Sequence, residues 1–131
     1  MSKLPLVARL LLGLIFTVFG LNGFLNFLPV PEMPEAGSNF IGALVASGYL
    51  MTLVKLVEVV GGVLLLIGRF VPLALTVLAP IVVNIFLFHL FLAPGAAGMA
   101  MPVLLLALEI YLAYAYRKSF RGVLDAGAQP A

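Results

Sequence analysis

Three charged residues stand deep inside long apolar runs of this chain: Lys55, Glu58 and Glu109. His89, Asn22, Asn26 and Asn84 are the polar residues in similar surroundings. A full charge at the centre of an apolar helix in a membrane costs about 2.5–3.5 kcal/mol on insertion scales, so such groups are expected to face one another or water. Lys55 and Glu58 are three residues apart, hence neighbours on one helix face and able to form an ion pair. With Lys55 taken by Glu58, Glu109 needs another partner or a shared proton. Glu58 and Glu109 are therefore the candidates for catalysis, as groups that exchange a proton. Asn22, Lys55, Glu58, Asn84 and Glu109 are candidates to line a binding pocket, in which Lys55 and Asn84 would donate hydrogen bonds to a small polar headgroup. Asn84 and His89 are five residues apart, about 140° around a helix, and cannot both point at one centre. Asn84 is read as the lining residue and His89 as peripheral. With one histidine and no cysteine, the chain offers no metal site, bis-histidine haem, thiolate zinc or thiol redox chemistry of its own.

The elements that must hold these residues follow from composition. Of 131 residues, 64% are hydrophobic and 9% charged, and mean hydropathy is +1.26. An ordinary soluble domain carries roughly 25% charged residues. A soluble enzyme, a disordered tail and a disulfide scaffold are therefore excluded, and the apolar residues are expected to face membrane lipids. A hydrocarbon core of about 30 Å takes roughly 20 apolar residues per helix. Four runs meet that requirement, at about 4–28, 49–67, 70–92 and 100–116. Pro72 and Pro102 fall near the starts of the third and fourth, where proline is tolerated. The first run follows Lys3 but is too long for a secretory signal and lacks a small-residue cleavage site, so it is read as a retained span.

Pro29, Pro31 and Pro34 make the next stretch a loop. Ser38 or Asn39 is expected to cap a short helix over about 39–47, ended near Gly48. That helix is too short to span and is placed at the membrane interface. The remaining connections, 68–69 and 93–98, are brief and force antiparallel neighbours. The expected fold is an all-α, integral membrane, four-helix up-down bundle, a single domain with a tail over 117–131.

Six basic residues, Lys3, Arg9, Arg69, Arg117, Lys118 and Arg121, fall near the termini or in the loop at 68–69, whereas the first and third loops hold no Lys or Arg. That asymmetry predicts both termini in the cytoplasm. It also accounts for the basic charge without a nucleic-acid partner. Counting along the helices puts Glu58, Asn84 and Glu109 roughly 12–13 Å below the outer ends of their runs, and Lys55 and Asn22 roughly 9 Å below theirs. The expected result is a polar pocket in the outer half of the membrane, closed below by Leu, Val and Ile. Blander accounts stand beside this one. The Lys55–Glu58 pair also reads as a structural ion pair, the asparagines as interhelical hydrogen-bonding residues, and His89 as a headgroup-level residue. Gly13, Gly20 and Gly23, near one face of the first run, and Gly61-Gly62 in the second read as close-packing positions.

With these residues placed, the chain resembles the DoxX/DoxD family of small four-span membrane proteins. The marks are Arg9-Leu10-Leu11-Leu12-Gly13, the proline-rich loop leading to a short helix, and Leu56-Val57-Glu58-Val59-Val60-Gly61-Gly62-Val63-Leu64-Leu65-Leu66-Ile67-Gly68-Arg69. The polar Asn84 and His89 of the third run add to them. The resemblance extends from Arg9 to about Arg121. It implies a link to redox chemistry, since some relatives are subunits of a thiosulfate:quinone oxidoreductase and others work with oxidative-stress or sulfur enzymes. Glu58 is the residue that best matches the family pattern. The missing cysteine departs from direct sulfur chemistry and shifts any redox role to a quinone or to a partner oxidoreductase subunit that holds the cofactor.

The leading expectation is a bacterial inner-membrane protein, a quinone-associated or accessory component of a membrane oxidoreductase, with no covalent cofactor and no stand-alone enzymatic activity. The rival readings are a transporter of a small solute and a structural subunit docking on a larger membrane complex. The absence of polar residues from the inner half speaks against the first rival.

Overall fold

The computed structural model describes residues 3–29, 32–95 and 97–131, and these contain helices and no strand. Val30 and Pro31 of the proline-rich loop, and Ala96 of the loop before the last run, lie outside the described residues. Helix α1 covers Leu4–Leu25, α2 Glu35–Ala46, α3 Leu50–Ile67, α4 Val71–Phe91 and α5 Ala100–Ala115, with short 3₁₀ turns at Ala97–Met99 and Arg117–Phe120.

Local chemistry sets these limits. α1 stops short of residue 28 because Asn26 takes the left-handed conformation, φ 52°, and the Leu28 N–H turns back to donate to Asn22 Oδ1 at 2.7 Å. α2 begins earlier than expected. Pro34, at ψ 157°, stands at its N-cap, and Glu35 puts an acidic side chain at the positive end of the helix dipole. The Ser38 N–H already donates to the Pro34 carbonyl, so Ser38 and Asn39 lie within the helix instead of capping it. Ser47 performs the capping at the other end. Its hydroxyl donates to Leu44 O at 2.7 Å and accepts from the Leu50 N–H at 3.0 Å, closing α2 and opening α3. α3 ends at Gly68, φ 72°, where the Gly68 and Arg69 N–H groups both reach Leu64 O.

α1 and α3 run antiparallel with their backbones nearly touching. A Cβ added to Gly13 would lie 2.9 Å from the Gly62 carbonyl oxygen, and one on Gly62 would lie 2.7 Å from the Thr17 nitrogen. In lipid, where apolar burial gives no preference for helix association, such small-residue contacts carry helix packing. α3 packs in turn on α4, α4 on α5, and α5 on α1. The core between them holds Leu12 and Phe16 of α1, Leu65 of α3, Leu75, Leu78 and Val82 of α4, and Leu105 and Leu112 of α5. α2 lies on α3, and its Gly37 fits against Phe88 and the Leu92 carbonyl at the end of α4.

The outside is apolar. In the most hydrophobic stretches of α1, α3 and α4 only 28%, 22% and 28% of residues are buried, so most of their Leu, Val and Phe side chains face outward. By length and composition these three helices can cross a membrane. The 16 residues of α5 rise about 24 Å, less than a hydrocarbon core of about 30 Å. The fourth run is thus a shorter apolar helix flanked by a 3₁₀ turn on each side.

Candidate functional site

Two carboxylates are buried among these helices. Glu58, on α3, is 4% exposed, and Glu109, on α5, is 7% exposed. Glu58 is met by Lys55 one turn before it, with Nζ 3.4 Å from Oε1. The glycines of α1 make room for that pair. Gly20 lies against the Glu58 Cβ, and Gly23 lies against the aliphatic stem of Lys55, so closely that any side chain on Gly23 would overlap it. The stem is thus packed by a helix backbone while the ammonium reaches the carboxylate, the arrangement expected of a long amphipathic side chain.

Glu109 has no such partner. Its Oε2 is buried without a hydrogen bond, and the residue makes no ion pair among the described residues. A buried acceptor left unmet costs about 1–3 kcal/mol, which a proton, a water or a ligand hydroxyl would remove. α3 and α5 share α1 and α4 as neighbours, so the two carboxylates belong to one bundle interior on different helices.

The amides and the histidine are placed elsewhere. Asn22 is half-buried and accepts the Leu28 N–H, as part of the chain reversal after α1. Asn26 is exposed at that same reversal. Asn84 is exposed on α4, where its Nδ2 donates to the Pro80 carbonyl at 2.8 Å. It borders a shallow groove of about 270 Å³ with Phe40, Leu87, Phe88, Phe91 and Leu92. A second apolar groove, about 240 Å³, is lined by Leu56, Val57, Val60 and Val77. Neither groove includes Lys55, Glu58 or Glu109. His89 is half-buried near the end of α4, where Nδ1 donates to Ile85 O at 2.9 Å and the ring stands edge-on to Phe88. Of the sequence-derived set, the structure brings Lys55 and Glu58 into contact, buries Glu109 in the same bundle, leaves Asn26 and Asn84 exposed, and half-buries Asn22 and His89 near the ends of α1 and α4.

Arg9 is the residue whose role the sequence understated. Read from the sequence among the basic residues that set the orientation, it is half-buried, with its guanidinium against Gly68 in the α3–α4 turn. The available signal was a lone arginine inside an apolar run with no acidic residue within helical reach. Among the described residues no group of three or more His, Cys, Asp and Glu is placed to hold a metal ion.

No curated protein and no solved structure matches the chain. The family model described as DoxX matches residues 4–90, taking in Arg9, the Lys55–Glu58 pair, Asn84 and His89 and ending before α5. The chain belongs to the DoxX family.

Proposed function

We propose that this chain is an integral protein of the bacterial inner membrane, a four-helix up-down bundle with both termini in the cytoplasm, acting as a quinone-associated, accessory component of a membrane oxidoreductase. The bundle is supported by the packing order α1–α3–α4–α5 and the three-residue turn between α3 and α4. The orientation is supported by the basic residues near the termini and in the α3–α4 turn, and by their absence from the loops at the other end.

The observation that carries the functional reading is the buried, unmet Glu109 Oε2 in the same bundle as the buried Lys55–Glu58 pair. The donor and acceptor set suits a quinone headgroup. Lys55 can donate beyond its one bond to Glu58, and Glu109 Oε2 can accept from a ring hydroxyl. Bound in a polar pocket opening to the outer side, a quinone would supply the electron carrier that the chain itself lacks. Lys55 would orient the headgroup, Glu58 or Glu109 would take up or return its proton, and a partner subunit would receive the electrons.

The test uses the full chain in lipid nanodiscs titrated with decylubiquinone and with its reduced quinol, the form whose ring hydroxyls can donate to Glu109. The signal is quenching of the chain's four tyrosines, undisturbed by tryptophan, of which there is none. Glu109→Gln and Glu58→Gln should each weaken binding about tenfold, the worth of one charge-assisted hydrogen bond. Equal binding by both variants and the unmodified chain, or no binding by any, would overturn the reading.

A further inference from the structure

Arg9 lies about 8 Å along α1 from its first residue, well inside an apolar helix. It makes no hydrogen bond and no ion pair among the described residues. The two ends of its guanidinium differ. Nε is buried without a partner, whereas Nη1 and Nη2 are not among the buried nitrogens and rest on Gly68 in the left-handed turn that ends α3. A Cβ on Gly68 would lie 2.9 Å from the Arg9 Cζ, so this turn is a seat that only glycine leaves open. The negative end of the α3 dipole favours a cation there.

No acidic side chain faces this cation. Glu32 and Glu35 sit at or just before α2, Glu58 and Glu109 are buried in the bundle, and the Asp125 carboxylate accepts from the Gly127 N–H in the tail. The charged residues next in sequence to its seat and to the start of α1 are basic, exposed Arg69 following Gly68 and exposed Lys3 preceding α1. A half-buried guanidinium without a protein acceptor, one or two turns inside the end of an apolar bundle, is suited to a tetrahedral oxyanion at headgroup depth.

We infer that Arg9, seated on Gly68 and assisted by Arg69, binds the phosphate of an acidic phospholipid. Two phosphate oxygens take Nη1 and Nη2, the Gly68 turn packs against the fork, and Arg69 adds a second charge from the turn. The site is separate from the Lys55–Glu58–Glu109 interior and does not depend on what binds there.

The test places the full chain in nanodiscs of phosphatidylcholine, alone or with phosphatidylglycerol, and counts retained phosphatidylglycerol by native mass spectrometry. Arg9→Gln should reduce retention about tenfold or more. Arg9→Lys, which keeps the charge but not the fork, should fail to restore it. Lys3→Gln removes one charge from the same end and should lose at most about fivefold, the worth of a single surface cation beside anionic lipid. Helix content of each variant in phosphatidylcholine alone separates lost binding from lost folding, and a misfolded Arg9→Gln leaves Arg9→Lys to decide. Equal losses for Arg9→Lys and Lys3→Gln would reduce the effect to diffuse charge and overturn the site. Displacement of the lipid by inorganic phosphate would assign the fork to a soluble anion and overturn the lipid as its ligand.

Discussion

The Lys55–Glu58 contact and the solitary Glu109 place two carboxylates in apolar surroundings with different compensation. Glu58 keeps its charge partner at 3.4 Å, and α1 lends two glycines to hold the pair. Removing one partner of such a pair leaves an uncompensated buried charge. Lys55→Met is therefore expected to destabilise the protein by about 3 kcal/mol, read as a shift of its unfolding transition in mixed micelles. Adding Glu58→Gln should restore most of that loss, because a neutral amide needs no cation. A double-mutant cycle measures the coupling, and additive losses would show that the pair contributes no mutual stabilisation. The identity of the pair was legible in the sequence, since two charges three residues apart in an apolar run have few alternatives. Its packing was not legible, because the glycines that accommodate it lie on another helix, more than thirty residues away.

At the scale of elements, the α1–α3 contact depends on the absence of side chains. A Cβ on Gly62 would stand 2.6 Å from Thr17 Oγ1 and 2.7 Å from the Thr17 nitrogen, so a neighbouring backbone would have to move. Gly62→Ala is expected to cost about 1–3 kcal/mol, the usual range for overpacking. Gly42, in α2, has nothing within 4 Å of where its Cβ would be. Gly42→Ala is therefore expected to stabilise α2 by about 0.5–1 kcal/mol, through helix propensity alone. Comparing the two variants by thermal unfolding checks both signs. Element limits were less legible than element existence. The expected helix over 39–47 is α2 at Glu35–Ala46, because the Pro34 carbonyl accepts the Ser38 N–H and so moves the start back. Serine and asparagine are good capping residues in general, but a proline four positions earlier took the role here.

For the whole molecule, the decisive quantity is the distribution of charge over an apolar exterior. The proposed orientation has a direct check, since the chain contains no cysteine to confuse labelling. Gly42→Cys in α2 should react with a membrane-impermeant maleimide added to intact spheroplasts, and Ser119→Cys should react only after lysis. The reverse pattern would overturn the cytoplasmic placement of the termini. Both positions are exposed, and neither touches the buried carboxylates.

Composition and the spacing of apolar and charged residues determined by themselves that the protein is helical, apolar outside and marked by a few intramembrane charges. The reason is that hydrophobic length and charge are properties of the local chain. Which polar residues turn inward is a matter of helix rotation, and rotation is set by contacts with other helices. The Gly13–Gly62 contact and the leucine core fix α1 and α3 so that Glu58 is buried, α5 buries Glu109, and Asn84 is left on the outer face of α4. Depth counted along each helix placed these residues near one level, but it held no information about angle. The tertiary structure also decided the position of Arg9, by bringing the turn at Gly68 beneath a side chain that the sequence leaves without a partner.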